Sequence, residues 1–384
     1  MPVGYLLNVV VVGAFTLVAL APPSRPVWAA RSAYLLGMAV TEVPHVAAGI
    51  PLALATGFAL AGGDLAASAS SALLLGAAGV VASALAVVAA RGVKARDAVA
   101  DGLRRAGVAV PRPSTWWAWR AALTPLPVRP RRVRRVAGLR YGDDRRQRLD
   151  VYHRRDLPAG GPVLVYFHGG GYSSGGKHWE ARALLHRLAD RGWVCISANY
   201  RLRPRAGFEE HLADARSALA WAHEHAADFG GDPTTMVMAG SSAGAHLTSL
   251  LASAPGSRLS ATICLYGYYG RYYGRTEAEP VPSTPFVLSA VDAPPCFVAH
   301  GDLDTWTPVQ AARDLAVKLR AESSGPVVLV ELPRGQHGFD LFRSWRFASV
   351  LDGIDAFLAD PRVGVAARSV AAEPQLQLQG KERH

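Results

Sequence analysis

The sequence predicts an α/β body, a mostly parallel sheet with helices on both faces, preceded by a helical region apolar enough for a membrane. Three observations carry this. Short all-apolar runs alternate with helix-patterned runs after residue 160, the pattern of a parallel sheet buried on both faces. Long stretches before residue 90 contain no charged side chain. Between the two lies a sharp excess of positive charge.

The chain has 384 residues, of which 50% are hydrophobic and 18% charged, with a net charge of +11. That balance excludes a disordered chain, which needs low hydrophobicity and high net charge. Residues 1–90 hold two Arg, one Asp and one Glu and are neutral. Residues 91–148 hold 16 Arg or Lys against four Asp, a net +12. The rest is close to neutral. Cys195, Cys264 and Cys296 are too few for a disulfide framework or a cysteine-rich zinc site. Each falls in an apolar run, as a buried thiol would.

The front, residues 1–90, reads as membrane-spanning. Residues 2–21, 43–63 and 65–90 carry no charge, and a bilayer core takes about 20 apolar residues per helix. The simplest count is three spans at roughly 3–21, 33–60 and 66–90. A short helix at 27–40 and a span at 43–63 would make four. Glu42 falls inside the second span of the simpler count, so its carboxylate requires a partner, water or an interface. The first segment lacks a basic leader and is followed by further apolar segments, which favours a retained anchor over a cleaved signal. Arg25 and Arg31 flank one side, and Arg91, Lys94 and Arg96 follow the last span. By the positive-inside bias, the body lies in the cytoplasm. The break near residue 90 also predicts a body that folds without the front.

Residues 91–139 read as a basic juxtamembrane linker. Trp116, Trp117 and Trp119 lie between Arg112 and Arg120, ahead of Arg129, Arg131, Arg132, Arg134 and Arg135. Indole rings and arginines suit the headgroup level of an anionic membrane. Nucleic acid is the rival partner for such a cluster, but no zinc-finger or RNA-recognition pattern accompanies it.

Residues 140–360 form the predicted body. A hairpin or antiparallel strand at 140–153 precedes strands at 162–167, 193–198, 234–239, 261–266, 296–299 and 327–331. Helical patterns cover 209–227, 243–252, 308–322 and about 341–359. Residues 268–286 interrupt the alternation with a Tyr-rich segment, readable as a short cap, a pocket wall or a surface loop. The tail, 361–384, is expected to be flexible.

Three motifs then meet. Gly240-Ser241-Ser242-Ala243-Gly244 joins a predicted strand to a predicted helix. In that context a G-x-S-x-G turn lifts the middle serine, Ser242, above the sheet edge as a nucleophile. His168-Gly169-Gly170-Gly171 ends an earlier strand. Successive glycines there leave backbone N–H groups free to stabilise an oxyanion, at Gly170 and Gly171 together with Ala243. Asp304, with Asp302 as the alternative acid, and then His337 each follow a later strand. Ser, acid, His is the chain order of this kind of triad. No phosphate-loop ending and no convincing metal-ligand set is present, so neither cofactor nor metal is implied.

On these residues the body resembles an α/β-hydrolase of the hormone-sensitive-lipase-like and acetyl-hydrolase carboxylesterase grouping, with Gly231-Asp232-Pro233 ahead of the elbow strand as a further match. The acid segment Gly301-Asp302-Leu303-Asp304 with Thr307-Pro308 is instead similar to that of isoprenylcysteine methylesterases and related carboxylesterases. The resemblance implies a Ser242–His337–Asp304 triad acting on carboxylic esters through an acyl-enzyme, with an ester substrate and membrane lipids as partners. An amidase or peptidase using the same triad, and a non-catalytic membrane scaffold, are the alternatives.

Overall fold

The computed structural model describes residues 3–23, 25–63, 65, 68–112, 123–254 and 256–365. The tryptophan cluster at 116–119, Arg120, Asp64 and the tail from 366 lie outside them.

The body is an eight-stranded sheet in the order β1-β2-β4-β3-β5-β6-β7-β8. Its strands are β1 Val133–Arg140, β2 Arg148–Arg154, β3 Gly161–Phe167, β4 Val194–Ala198, β5 Gly231–Ser241, β6 Ala261–Leu265, β7 Cys296–Gly301 and β8 Val327–Leu332. β1 pairs with β2, and β2 with β4, antiparallel; every later pairing is parallel. Strand alternation splits each apolar run between two cores. Val163, Val165 and Phe167 of β3 face one, while Leu164 and Tyr166 face the other. That two-sided burial is why these runs contain no polar alternation.

Ten α-helices are described. Four lie in the front: α1 Val3–Leu20, α2 Val27–Glu42, α3 Ile50–Ala61 and α4 Ala69–Val93. The other six are α5 Ala95–Arg105, α6 Arg182–Asp190, α7 Phe208–His225, α8 Ala243–Ala252, α9 Gln310–Glu322 and α10 Trp345–Ala359. α5, α6 and α10 cover one face of the sheet, and α7 and α8 cover the other. The sequence pattern leaves α6 unassigned.

The linker expected at 91–139 is corrected at both ends. α5 turns Ala95, Val99, Gly102 and Leu103 inward and its charges outward. It packs so closely on the sheet that a Cβ on Gly102 would stand 2.6 Å from the Leu329 carbonyl oxygen. The arginine run leads into β1, where Arg135 pairs with the fully buried Asp150 and Arg132 pairs with Asp190. Both guanidiniums therefore already hold carboxylates of the body. The expected tail is also shortened, because Val363 and Val365 are buried in the same core as α5.

The predicted span at 33–60 is not one straight helix. α2 stops before Pro44, whose ring removes an N–H and collides with the preceding turn. A π-helical turn, His45–Gly49, then carries the chain into α3 at 96° to α2. Among the described residues, α1 and the run Ala69–Arg105 are each long and apolar enough to cross a membrane, and the bent pair raises the number to three at most. The front packs tightly on itself. A Cβ on Gly37 would stand 3.0 Å from Val18, and Tyr5 Oη lies 3.0 Å from Thr56 Oγ1.

The front also grips the body, contrary to the expected independence. Glu42, at the end of α2, pairs with Arg346 of α10. It also accepts a hydrogen bond from Ser344 Oγ at 2.7 Å. Arg91 and Arg334 both donate to the Leu20 carbonyl at 2.8 Å, closing the last turn of α1 against the body.

Candidate active site

Ser242 stands between the end of β5 and the first residue of α8, with φ 53° and ψ −114°. Positive φ is costly for a residue with a Cβ, and such strain persists only where the surroundings enforce it. Here glycines on both sides permit the turn. A Cβ on Gly240 would fall 2.2 Å from the Gly244 carbonyl carbon, and one on Gly244 would fall 2.0 Å from the Phe167 oxygen.

His337 follows β8 in a turn completed by Gly338 at φ +70°. Its Nε2 lies 3.0 Å from Ser242 Oγ, and its Nδ1 lies 2.7 Å from Asp304 Oδ2. The carboxylate accepts, so Nδ1 carries the proton and Nε2 is left to accept from the serine hydroxyl.

Asp304 is 8% exposed and heavily hydrogen-bonded. It accepts from the backbone N–H groups of Trp306 and Thr307 at 2.8 and 2.9 Å, and from Thr307 Oγ1 at 3.0 Å. His300 Nε2 stands 3.4 Å away. Burial pushes the Asp304 carboxyl up, but the charges and hydrogen bonds of His337 and His300 outweigh it and hold the group well below the usual carboxylate range. Asp302 points elsewhere: it lies against the backbone of Arg334, and burial pushes its carboxyl up. Between the two acids left open by the sequence, Asp304 is the one in contact with His337.

The glycine loop after β3 curls over the serine. Gly170 and Gly171 take φ of +100° and +57°. A Cβ on Gly169 would come 2.9 Å from Ser242 Cβ. Ala243 opens α8, so its N–H has no intrahelical acceptor. His168 has a structural place: it is fully buried, stacks on Tyr200 at 4.5 Å, and its Nδ1 bonds the Gly169 carbonyl at 2.6 Å. His211 and His246 are likewise buried, stacked or bonded among Tyr172, Tyr272 and Ser283. Burial pushes each down to about 4.

Sequence reasoning missed the polar layer beneath the loop. Glu180 accepts the Gly169 N–H. Tyr166 Oη donates to Ser241 Oγ at 2.9 Å, and Ser241 Oγ donates to Asp340 Oδ2 at 2.8 Å. Tyr266 Oη bonds the other Asp340 oxygen, while its ring packs 4.6 Å from His337. Burial, and then the neighbouring Asp340, push Glu180 up to about 8. Burial also raises Asp340. The 268–286 segment is irregular chain up to a 3₁₀ turn at Pro285–Val287, with Tyr273 Oη placed 3.3 Å from where a Cβ on Gly171 would be.

Comparison with known proteins finds similarity over the body. The BD-FAE family matches residues 149–269, spanning the glycine loop and the elbow. The native structure of an esterase from Thermogutta terrifontis is 25% identical, with a TM-score of 0.53 over 63% of this chain and 96% of its own. The body is thus similar in fold to an α/β-hydrolase esterase. Among curated relatives, "Probable carboxylic ester hydrolase LipM" of Mycobacterium tuberculosis is 35% identical over 62% of this chain and 65% of its own length. "Esterase LipC" of the same organism is 34% identical over 57% of this chain and 63% of its own. The chain thus spans less than two thirds of the length of either relative. A further structure shows the Thermogutta terrifontis esterase 2 phosphorylated by paraoxon, at 25% identity and a TM-score of 0.52 over 61% of this chain and 95% of its own.

Proposed function

We propose that this protein is a membrane-associated, lipase-like serine carboxylesterase. The observation that carries the reading is the continuous hydrogen-bond chain from Ser242 Oγ through His337 to Asp304. In the proposed cycle, His337 Nε2 takes the Ser242 proton as Oγ attacks the ester carbonyl carbon. The oxyanion forms against the N–H groups of Gly170, Gly171 and Ala243. Collapse breaks the bond to the alcohol oxygen, which receives the proton from His337. Water, deprotonated by the same imidazole, then attacks the acyl-serine and releases the acid. Asp304 fixes the Nδ1–H tautomer and stabilises the imidazolium that forms twice in this cycle.

Membrane association rests on the apolar helices of the front, and a cytoplasmic body rests on the basic flanks of α1 and α4. α2 touches the body near both ends, through Arg31 and Glu42. It therefore lies across the body, so that α1 and α4 cross and the third crossing is made by the run His45–Ala61, the π-helical turn and α3 together.

The test uses a fluorophosphonate probe on membranes carrying the full chain, because paraoxon phosphorylates the Thermogutta esterase. Wild type should label and hydrolyse short esters, and Ser242→Ala should do neither. Ester turnover retained in Ser242→Ala, or amides cleaved faster than matched esters, would overturn the reading.

A further inference from the structure

The imidazole of His337 is ringed by aromatic side chains from three parts of the chain. Tyr266 follows β6 and Trp306 follows β7; the third, Tyr34, comes from α2 in the front. The Tyr34 ring centroid lies 6.2 Å from that of His337 and 6.1 Å from that of Trp306, edge-on to both. Its hydroxyl would stand 2.7 Å from a Cβ on Gly338, the residue that turns His337 toward the serine. One helical turn earlier, Arg31 places its guanidinium 4.6 Å from the centre of the Trp306 ring. A helix of the apolar front thus reaches into the catalytic end of the body.

Its position relative to the reaction is specific. The proton on His337 Nε2 goes to the departing alcohol, so the alcohol portion of an ester must leave on the His337 side of Ser242. The acyl portion then faces the glycine loop and the 268–286 segment, where Tyr273 approaches Gly171. Tyr34 and Trp306 both border His337, at 6.2 and 6.3 Å between ring centroids. Beyond them α2 presents Trp28, Leu35 and Leu36, which are 72%, 66% and 56% exposed.

We propose that α2 forms the wall of the alcohol subsite and that Tyr34 is a specificity-determining residue, selecting esters whose alcohol is lipophilic or aromatic. Arg31 acts through Trp306 by holding its ring in place. This assignment rests on the serine-esterase reading but makes a separate demand on the substrate.

The experiment measures kcat/KM for the full chain in micelles on two series. One is acetates of ethanol, butanol, octanol and phenylethanol; the other is ethyl esters of acetic, butyric and octanoic acids. Tyr34→Leu should shift the large-to-small ratio in the alcohol series about tenfold, the scale on which apolar pockets discriminate, and leave the acyl-series ratio in place. Tyr34→Phe, which keeps the ring, should preserve both ratios. Labelling of Ser242 by a small fluorophosphonate at the wild-type rate would show an intact centre. If Tyr34→Leu fails to label, Tyr34→Trp replaces it and should penalise the largest alcohols. Intact labelling with the alcohol series unchanged, or a shift confined to the acyl series, would overturn the proposal. A wild-type chain that neither labels nor cleaves either series would sink the esterase reading itself, and the subsite with it.

Discussion

Glu42 of the front and Arg346 of the body form an ion pair closed to solvent from both sides, the residues being 3% and 1% exposed. Two charges leave water only when each finds the other and further hydrogen bonds complete the set. Ser344 supplies one to the carboxylate. The pair makes the junction between front and body specific, because either half alone would bury an uncompensated charge.

Removing one partner should therefore cost far more than removing both. Glu42→Ala is expected to lower stability by about 3–5 kcal/mol. The double change Glu42→Leu with Arg346→Met should recover most of it. Thermal inactivation midpoints in micelles check this, and equal losses in the single and double variants would contradict it. A chain lacking residues 1–90 should aggregate for a different reason, since it uncovers the body surface, Trp306 included, that α2 packs against.

Asp304→Asn should lower kcat by about 10⁴-fold, because an amide does not hold the Nδ1–H tautomer that the serine requires. Asp302→Asn should leave kcat close to wild type, since that carboxyl makes no contact with His337. Steady-state kinetics on a short ester separate the two, and a large loss on the Asp302 change alone would reverse the assignment.

Gly102→Ala tests whether α5 belongs to the body. The added methyl would meet the Leu329 carbonyl oxygen at 2.6 Å, forcing α5 off β8 at about 1–3 kcal/mol. A helix that merely linked front and body would accept alanine with a gain in helicity. The sign of the change in unfolding midpoint decides.

The parts of this protein that were legible in its sequence are those with local signatures. The all-apolar strands, the glycine-flanked Ser242 and the order of Asp304 and His337 are each carried by a few neighbouring residues. What escaped depends on contacts far along the chain. Tyr34 reaches His337 across some three hundred residues, about the separation over which Glu42 meets Arg346, and no periodicity encodes either meeting. Arg132 and Arg135 read as lipid-facing because their carboxylate partners, Asp190 and Asp150, could not be matched without the sheet. The bend at Pro44 was readable as an interruption, but not as the corner that lays α2 across the body.

The paired acids beneath the glycine loop give the stability of the body a distinctive pH slope. Half-buried Glu180 sits at about 8 in the folded chain against an ordinary 4.5, through burial and then the neighbouring Asp340. Between about 4.5 and about 8, the folded state thus holds more protons than the unfolded state. Glu180's own contribution to stability therefore falls as pH rises through that window. Asp304 acts in the opposite sense: its lowered carboxyl contributes stability above the ordinary carboxylate range, and this is lost only in acid. Glu180→Gln keeps an acceptor for the Gly169 N–H but removes the titration. Its stability relative to wild type should therefore improve steadily as pH is raised across the window, most steeply through its middle and levelling off at both ends. Unfolding midpoints of both proteins at a series of pH values check this. A difference that does not vary with pH would show that Glu180 is already ionised in the folded protein and that the pair shares no proton.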